Sequence, residues 1–268
     1  MKKKQEEIVV YWAPAYDALL PTTKYMKDPQ NQNNEPIPMS VVYPSWNMLY
    51  VEPDNCLDEL KSQRNKDSGS DNYLYCPAVA DVFKNTFVYR NQVDSYFKVD
   101  TKTKSMDSLR EETIAGAIKR LPSINNQHIF SYHMFYIFFC EEDLKIEVTP
   151  PYFHKTDYSD YGAFISGTFN IGAWYREVNC DFQLWDGVDE FKISRNDPLF
   201  YARFMTDKKV VLKRFKITKE IQSISTSCRD YRFTFGLFAS WEERYSQFKN
   251  SKTHKILIDL IKENLVDE

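Results

Sequence analysis

The chain of 268 residues is long enough to bury a full-sized core, and its 43% hydrophobic and 27% charged residues are typical of a globular protein. A formal charge of −3 indicates that the chain has no overall basic field of the kind that binds nucleic acid non-specifically. The five cysteines are widely spaced and form no CxxC pair, which argues against a disulfide framework and a thiolate zinc site. We therefore expect buried, reduced thiols and no nucleic-acid partner.

The apolar segments are too short for a signal peptide or a membrane span. Ile8–Trp12 follows a basic beginning but ends before Pro14, which is shorter than the apolar region of a signal peptide. The longest apolar run, Ile129–Cys140, has 12 residues, whereas crossing a bilayer takes about 20. We expect no membrane association and a protein that stays in the compartment where it is made.

The first half of the chain predicts short extended segments separated by polar loops. Polar insertions are expected at about 21–38, 61–72 and 100–120, the last with a short helix from Ser108. Extended segments are predicted at Ile8–Trp12, Val41–Tyr43, Met48–Val51, Tyr73–Cys76 and Thr86–Val99, the last interrupted near Asn91.

One short helix is predicted between these segments. Asp54 is a favourable N-cap residue, and the apolar Leu57 and Leu60 that follow it are three residues apart. This spacing places both leucines on one helical face, which predicts a short amphipathic helix.

Residues 129–217 carry the strongest β signal. The continuous apolar run Ile129–Cys140 predicts a buried strand. A turn at 141–143 and alternation along 144–149 predict that this strand forms a β-hairpin with the next one, which ends at Pro150. Inward-facing positions are predicted at Val178, Cys180, Phe182 and Leu184, and turns at Asp186–Gly187 and Asn196–Pro198.

The predicted fold is mainly β: an antiparallel, jelly-roll-like sandwich or barrel formed by residues 1–217. Residues 218–268 are predicted to be a helical C-terminal extension that packs on it, since apolar residues recur there at helical spacing behind Ser251 or Thr253 as a cap. The predicted buried stripe consists of Ile256, Leu257, Leu260, Ile261 and Leu265.

Three local sequences carry a resemblance to a known family. They are Pro150-Pro151-Tyr152, the Gly172-Ala173-Trp174 corner and the turn-to-strand Asn196–Tyr201. Their order over Ile8–Ile217 resembles an uncharacterised domain family of bacteria and tailed marine bacteriophages. The resemblance implies a compact cupin-like β core and a phage protein, for which the expected locations are the host cytoplasm and the virion. It assigns no catalytic residue.

A cupin-like core raises the question of a metal site, which needs two or three histidines and a carboxylate. The best available set is His133, His154, Glu147 and Asp157. The usual His-x-Asp pair is absent, and the spacing of His154 and Asp157 does not fit a strand whose faces alternate every two residues. We expect these histidines to be ordinary core or surface residues with their hydrogen bonds satisfied, and we expect no cofactor.

Catalytic and ligand-binding motifs are scarce. GxSxG, GxxxxGK[ST] and GxGxxG are all absent, and Cys140 and Cys180 fall at inward strand positions without a basic neighbour. The loop around Tyr158 and Tyr161 predicts two exposed tyrosines, which together with Trp174 and Tyr175 form a candidate stacking surface.

Three functions are compatible with these features. The preferred hypothesis is a non-enzymatic interaction or structural protein of a bacteriophage, which contacts a protein partner or a second copy of itself through aromatic loops and the C-terminal helix. The first alternative is a cupin-like metal-dependent enzyme. The second is a small-ligand or carbohydrate binder.

Overall fold

The computed structural model describes residues 6–14, 19–20, 37–38, 52–62, 74, 76–91, 94–100, 105–108, 118–120, 129–224 and 240–266. The strands are β1 (Glu7–Pro14), β2 (Leu19–Leu20), β3 (Ile37–Pro38), β4 (Asp54–Asn55), β5 (Thr86–Arg90), β6 (Ser95–Asp100), β7 (Ser105–Ser108), β8 (Ile118–Arg120), β9 (Ile129–Phe139), β10 (Lys145–Thr149), β11 (Gly162–Phe164), β12 (Gly167–Asn170), β13 (Glu177–Leu184), β14 (Glu190–Ile193), β15 (Pro198–Phe204) and β16 (Lys209–Arg214). The helices are α1 (Cys56–Ser62), α2 (Pro77–Phe83), α3 (Trp241–Lys249) and α4 (Lys252–Glu263), and Asp157–Asp160 form a 3-10 turn.

Two open sheets pack face to face, which confirms the predicted mainly β, sandwich-like fold. The first sheet has the order β11-β13-β9-β1-β16, with β8 paired to the beginning of β9. The second has the order β12-β10-β15-β5-β4. A smaller sheet, β14-β6-β7, adds to the same core. All of these pairings are antiparallel except β1 with β16, which is parallel.

Aromatic rings fill the space between the two sheets. Tyr89 of β5 has its ring centroid 5.1 Å from that of Tyr136 and 5.3 Å from that of Phe138, both on β9 of the facing sheet. On its own sheet it stacks against Phe200 at 4.7 Å. Phe138 also meets Phe204 of β15 at 6.0 Å. Edge-to-face and offset-stacked rings of this kind bury large apolar areas and fix the geometry of the interface.

The two central strands of the first sheet are buried on both faces. On β9, Tyr136 and Phe138 face the second sheet, whereas Ile137 and Phe139 belong to a separate cluster on the outer face. The residues of β1 divide between the same two clusters. Burial on both faces explains why residues 136–139 of β9 are continuously apolar rather than alternating.

The predicted hairpin between β9 and β10 is wrong. Both edges of β9 are already occupied, by β13 on one side and by β1 and β8 on the other. The turn at 141–143 therefore carries the chain from the first sheet to the second, where β10 pairs with β12 and β15. The alternation along β10 reflects one face in the core and one face outside it.

Several local predictions in the second half are confirmed. Val178, Cys180, Phe182 and Leu184 are all buried in the main core. Gly187 turns with φ of 81°, and Asn196 adopts φ of 67° just before β15 begins. Positive φ is favoured in glycine and tolerated in asparagine, so both turns follow from their residue types.

The first half departs from the predictions in three places. Of the predicted strand Tyr73–Cys76, the described residues Leu74 and Cys76 are not in a strand, and Cys76 is instead the N-cap of α2, whose first position is Pro77. The cap of α1 is Asn55 rather than Asp54, since the Asn55 Oδ1 accepts from the amides of Leu57 and Asp58. The expected loop and helix at 100–120 contains β7 and β8. The predicted segments at 41–43 and 48–51 lie outside the described residues, as does most of the insertion at 21–38.

The helical extension packs on the outer face of the first sheet. Ser240 and Glu243 form a reciprocal capping box at the start of α3, and Ser251 caps α4, as predicted, by accepting from the His254 amide. Leu257 and Ile261 are fully buried, and Leu260 and Leu265 pack against them with part of their surface exposed. These four positions of the predicted stripe are confirmed.

Ile256 was predicted to be buried with them, and this is wrong, since it is 52% exposed. Successive helical residues are rotated by about 100°, so Ile256 lies on the far side of α4 from Ile261. His254 lies on the buried face instead.

The two adjacent residues Leu257 and Ile256 provide a matched test of this packing. Leu257→Ala should lower the free energy of unfolding by about 2–5 kcal/mol, because it removes a fully buried side chain and leaves a cavity. Ile256→Ala should change it by no more than about 0.5 kcal/mol, as is usual for exposed sites. Urea unfolding followed by circular dichroism measures both. Equal effects would contradict the orientation of α4.

His254 is a polar group inside this apolar layer. Its ring lies 5.3 Å from those of both Phe139 and Phe248, and its Nε2 is 3.2 Å from the Gly172 carbonyl oxygen, to which an Nε2–H can donate. Burial lowers the pKa of His254, with the nearby Lys249 acting in the same direction and the Gly172 carbonyl and Glu141 opposing it. Gly172 cannot carry a side chain, because a Cβ there would lie 1.9 Å from the Glu142 carbonyl oxygen.

The lowered pKa makes stability depend on pH in a defined direction. A histidine whose folded pKa lies below its unfolded value of about 6.5 binds more protons when unfolded, so its stabilising effect is complete above that value and is lost as the pH falls through the folded pKa. Wild-type protein should therefore lose more unfolding free energy between pH 7.5 and pH 5.5 than His254→Asn does. Parallel pH profiles of the two proteins would contradict this account of His254.

Candidate functional site

The described residues cover only part of the outer face of the second sheet. One half carries a small apolar cluster under α1, α2 and the loop that follows β10. Its buried members are Cys56, Leu60, Leu74, Phe83, Val88 and Tyr201. The covering loop has the sequence Pro150-Pro151-Tyr152-Phe153-His154, and we call it the PPYFH loop. Prolines end β10 and turn the chain back over the sheet.

Aromatic rings hold the PPYFH loop on the sheet. Phe83, at the end of α2, is fully buried, and its ring centroid lies 5.0 Å from that of Phe153 and 6.1 Å from that of Tyr152. Tyr152 also meets Tyr201 of β15 edge-to-face at 5.1 Å. Even so, Tyr152 is 57% exposed and Phe153 is 39% exposed. Two large aromatic side chains are therefore fixed by neighbours and still present their outer surfaces to solvent.

A polar network fixes the same loop from beneath. The Tyr201 hydroxyl accepts from the Phe153 amide at 3.2 Å and lies 2.6 Å from Nδ1 of His154. On the other side of the ring, Nε2 lies 3.2 Å from the Glu59 carboxylate, which also accepts from Arg90. A proton on Nε2 satisfies each contact, because the carboxylate can only accept and the tyrosine O–H can then donate to Nδ1. The network joins α1, β5, β15 and the loop.

The chemistry of this network suits positioning rather than catalysis. Cys56, the thiol of the apolar cluster, is fully buried, and burial raises its pKa to about 12, so it carries no thiolate at neutral pH. Burial also raises the pKa of the Tyr201 hydroxyl well above its usual value. Neither group is therefore a competent nucleophile. Both ring nitrogens of His154 make structural contacts, one with Tyr201 and one with Glu59.

The uncovered half of the face is polar and adjoins a cleft. Arg203 of β15 lies beside Glu147 of β10, with 3.8 Å between the guanidinium and carboxylate atoms. The cleft has a volume of about 410 Å³ and is lined by Asp81, Lys84, Asn85, Arg203, Phe204, Met205, Thr206 and Asp207. Arg203 thus belongs both to the sheet face and to the cleft wall.

The predicted stacking residues lie elsewhere and are mostly buried. Tyr158 is not exposed as expected, because its hydroxyl donates to the carbonyl oxygens of Pro198 and Leu199 inside the core. Tyr161 is half-buried against the core. Trp174 and Tyr175 are buried next to the C-terminal helices, where Trp174 meets Tyr245 at 4.8 Å. The structure therefore does not bring these four residues together as an exposed surface.

The alternative metal set is not assembled around His154, whose carboxylate neighbour is Glu59 rather than Glu147 or Asp157. The side chain of His133 lies outside the described part of the structure. Within the described residues, no three His, Cys, Asp or Glu side chains converge where a metal ion would be held.

Comparisons with known proteins do not add an identity. No family model matches the chain, and no curated protein matches it significantly. Over the ranges that the structure covers, the helices lack the length and apolar character needed to cross a bilayer.

Two tyrosines on adjacent strands test the role of the network. Tyr201→Phe should lower the free energy of unfolding by about 1–3 kcal/mol, because it leaves the Phe153 amide and a ring nitrogen of His154 without their partner. Tyr89 is equally buried, but its hydroxyl finds no hydrogen-bond partner among the described residues.

Tyr89→Phe is therefore the matched control and should be neutral or slightly stabilising, since it removes a buried polar group that gains nothing from burial. Chemical denaturation of the two variants measures the difference. A Tyr201→Phe protein as stable as Tyr89→Phe would show that the network does not hold the loop.

Proposed function

We propose that the protein is a non-enzymatic binding protein that holds its partner on the outer face of the second sheet. The observation that carries this proposal is the pair Tyr152 and Phe153, two adjacent aromatic side chains exposed on a loop that rings and hydrogen bonds hold in place. Aromatic residues dominate the energetics of binding surfaces, and tyrosine is prominent among them.

Fixing these side chains before binding favours affinity. A mobile loop would lose conformational entropy when it ordered on a partner, at about 0.5–1.5 kcal/mol per immobilised side chain. Here the Phe83 ring contacts both rings, and the Tyr201 ring contacts that of Tyr152. The network through Tyr201, His154 and Glu59 holds the loop backbone. The loop needs little further ordering to present a contact surface.

The proposed biological setting is a bacteriophage in its bacterial host. A role as a virion component or host-interaction module of a bacteriophage in the host cytoplasm rests on the motif-level resemblance in residues 8–217 alone. The binding surface supports an interaction role in general. The structural contacts made by both ring nitrogens of His154 favour that role over the alternative of a metal-dependent enzyme.

A thermal-shift screen tests the proposal, since a ligand that binds only the native state raises its stability by about 2.7 kcal/mol at a hundredfold excess over Kd. The panel comprises neutral oligosaccharides, nucleotides and short peptides, with sedimentation velocity to detect self-association. We expect one class of ligand, or a second copy of the chain, to bind the wild-type protein. The double variant Tyr152→Ala, Phe153→Ala should lose this binding.

Trp185→Ala is the matched control, because Trp185 is also an exposed aromatic residue but follows β13 of the first sheet. It should bind as wild type does. Turnover of any panel compound, binding that the double variant retains, or the absence of both ligand binding and self-association would contradict the proposal.

A further inference from the structure

A row of polar side chains crosses the uncovered half of the second sheet. Glu147 of β10 is paired directly with Thr168 of β12 on one side and with Arg203 of β15 on the other. Directly paired residues of adjacent strands project from the same face. Arg203 and Glu147 keep about 40% and 35% of their side-chain surface exposed, so their polar groups can meet a ligand.

Hydrogen bonds hold the wall of the cleft beside this row in place. The Asn85 side chain donates to the carbonyl oxygens of Thr206 and Lys208, at 2.8 and 2.9 Å, and accepts from the Val210 amide. These bonds use its whole hydrogen-bonding capacity apart from one lone pair and fix the turn after β15. Lys84 donates to the carbonyl oxygen of Asp207 across the cleft. At about 410 Å³, the cleft falls within the size range of small-ligand sites, about 300–1,000 Å³.

The charges around the row and the cleft nearly cancel. Two cationic side chains, Lys84 and Arg203, face three anionic ones, Asp81, Glu147 and Asp207. An ionic ligand would gain little net attraction from such a surface. A hydroxyl group both donates and accepts, so it can bond to the guanidinium and to the carboxylate alike. The surface therefore favours a neutral ligand rich in hydroxyl groups.

Tyr152 adds an apolar platform at the edge of this surface. It contacts Tyr201, and Tyr201 and Arg203, which are two residues apart on β15, project from the same face of the sheet. Its ring packs against those of Phe83 and Tyr201, and yet 57% of the residue's surface is exposed to solvent. A sugar ring has an apolar C–H face as well as hydroxyl groups at its rim, and an exposed tyrosine presents a matching apolar face with a polar tip.

We infer that this surface binds a neutral carbohydrate chain, with Tyr152 stacking on a sugar ring and Arg203 and Glu147 bonding its hydroxyl groups. The inference rests on the proposed function and names the class of ligand. A helical peptide would need an apolar groove. The lining of this cleft is mostly polar, with Met205 as its large exposed apolar side chain among the described residues. A peptide strand would need a sheet edge, and β10 and β15 are inner strands.

Isothermal titration calorimetry with defined neutral hexasaccharides tests the inference: cellohexaose, maltohexaose, mannohexaose and chitohexaose, together with a sulfated maltohexaose. We expect wild type to bind at least one neutral hexasaccharide with Kd below about 1 mM. Arg203→Ala and Tyr152→Ala should each weaken binding at least tenfold. Tyr152→Phe keeps the ring and should retain most of the affinity.

Lys98→Ala serves as the control, because Lys98 is exposed on β6 of the small sheet. It should bind as wild type does, and urea unfolding confirms that each variant is folded. Binding that survives both Arg203→Ala and Tyr152→Ala would place the carbohydrate elsewhere and overturn the inference. Much tighter binding of the sulfated chain would overturn its neutral character.

Failure of this inference is distinguishable from failure of the proposed function. If no neutral hexasaccharide binds, but a peptide, a nucleotide or a second copy binds in a manner that depends on Tyr152 and Phe153, the ligand class is wrong and the binding function stands. If nothing that binds depends on these two residues, the proposed function itself is contradicted.

Discussion

The two sheets are joined by aromatic rings, and the rest of the structure depends on that contact. Tyr89 is at its centre, with Tyr136 and Phe138 across the gap and Phe200 stacked beside it. The positions that supply these rings alternate along each strand, so this aromatic contact determines which residues face inward. It also determines which residues lie on the two outer faces of the sandwich, and these two faces are covered to different extents.

The outer face of the first sheet is apolar and has to be covered. Ile137 and Phe139 of β9 and Phe215 after β16 lie there, under Leu257 and Ile261 of the C-terminal helix. A helix of this length is marginal on its own in water, so its apolar face and that of the sheet stabilise each other. The helical extension is therefore part of the core.

The outer face of the second sheet is divided instead. Val88 and Tyr201 are apolar enough to require a cover, and two short helices and the PPYFH loop supply it. Thr168, Glu147 and Arg203 need none, because their polar groups can stay in water. The boundary between the two halves puts exposed aromatic rings next to exposed hydrogen-bonding groups. That juxtaposition is the physical basis of the proposed binding function.

The core was predictable from sequence where burial leaves a local pattern. Alternation revealed the inward face at 178–184, and helical spacing revealed Leu257 and Ile261. Pairing partners were not predictable, because nothing local to β10 indicates that both edges of β9 are taken. The surface proposed for binding also escaped prediction, since the contact between Glu59 and His154 that helps to hold its loop joins residues 95 apart in sequence. The prediction for Tyr158 was wrong for the same reason: its loop composition predicts exposure, but its hydroxyl donates to carbonyl oxygens 40 and 41 residues away.

Amide hydrogen exchange at Phe153 and His154 tests the central claim most directly, that the PPYFH loop is fixed before any partner binds. The Phe153 amide donates to the Tyr201 hydroxyl, and the His154 amide donates to the Pro151 carbonyl oxygen. Amides that exchange only when the segment opens are slowed by the free energy of that opening. The account predicts that both exchange at least about 100-fold more slowly than in an unstructured peptide, an opening free energy of about 2.7 kcal/mol. Exchange at the unstructured rate would show a mobile loop and contradict the account.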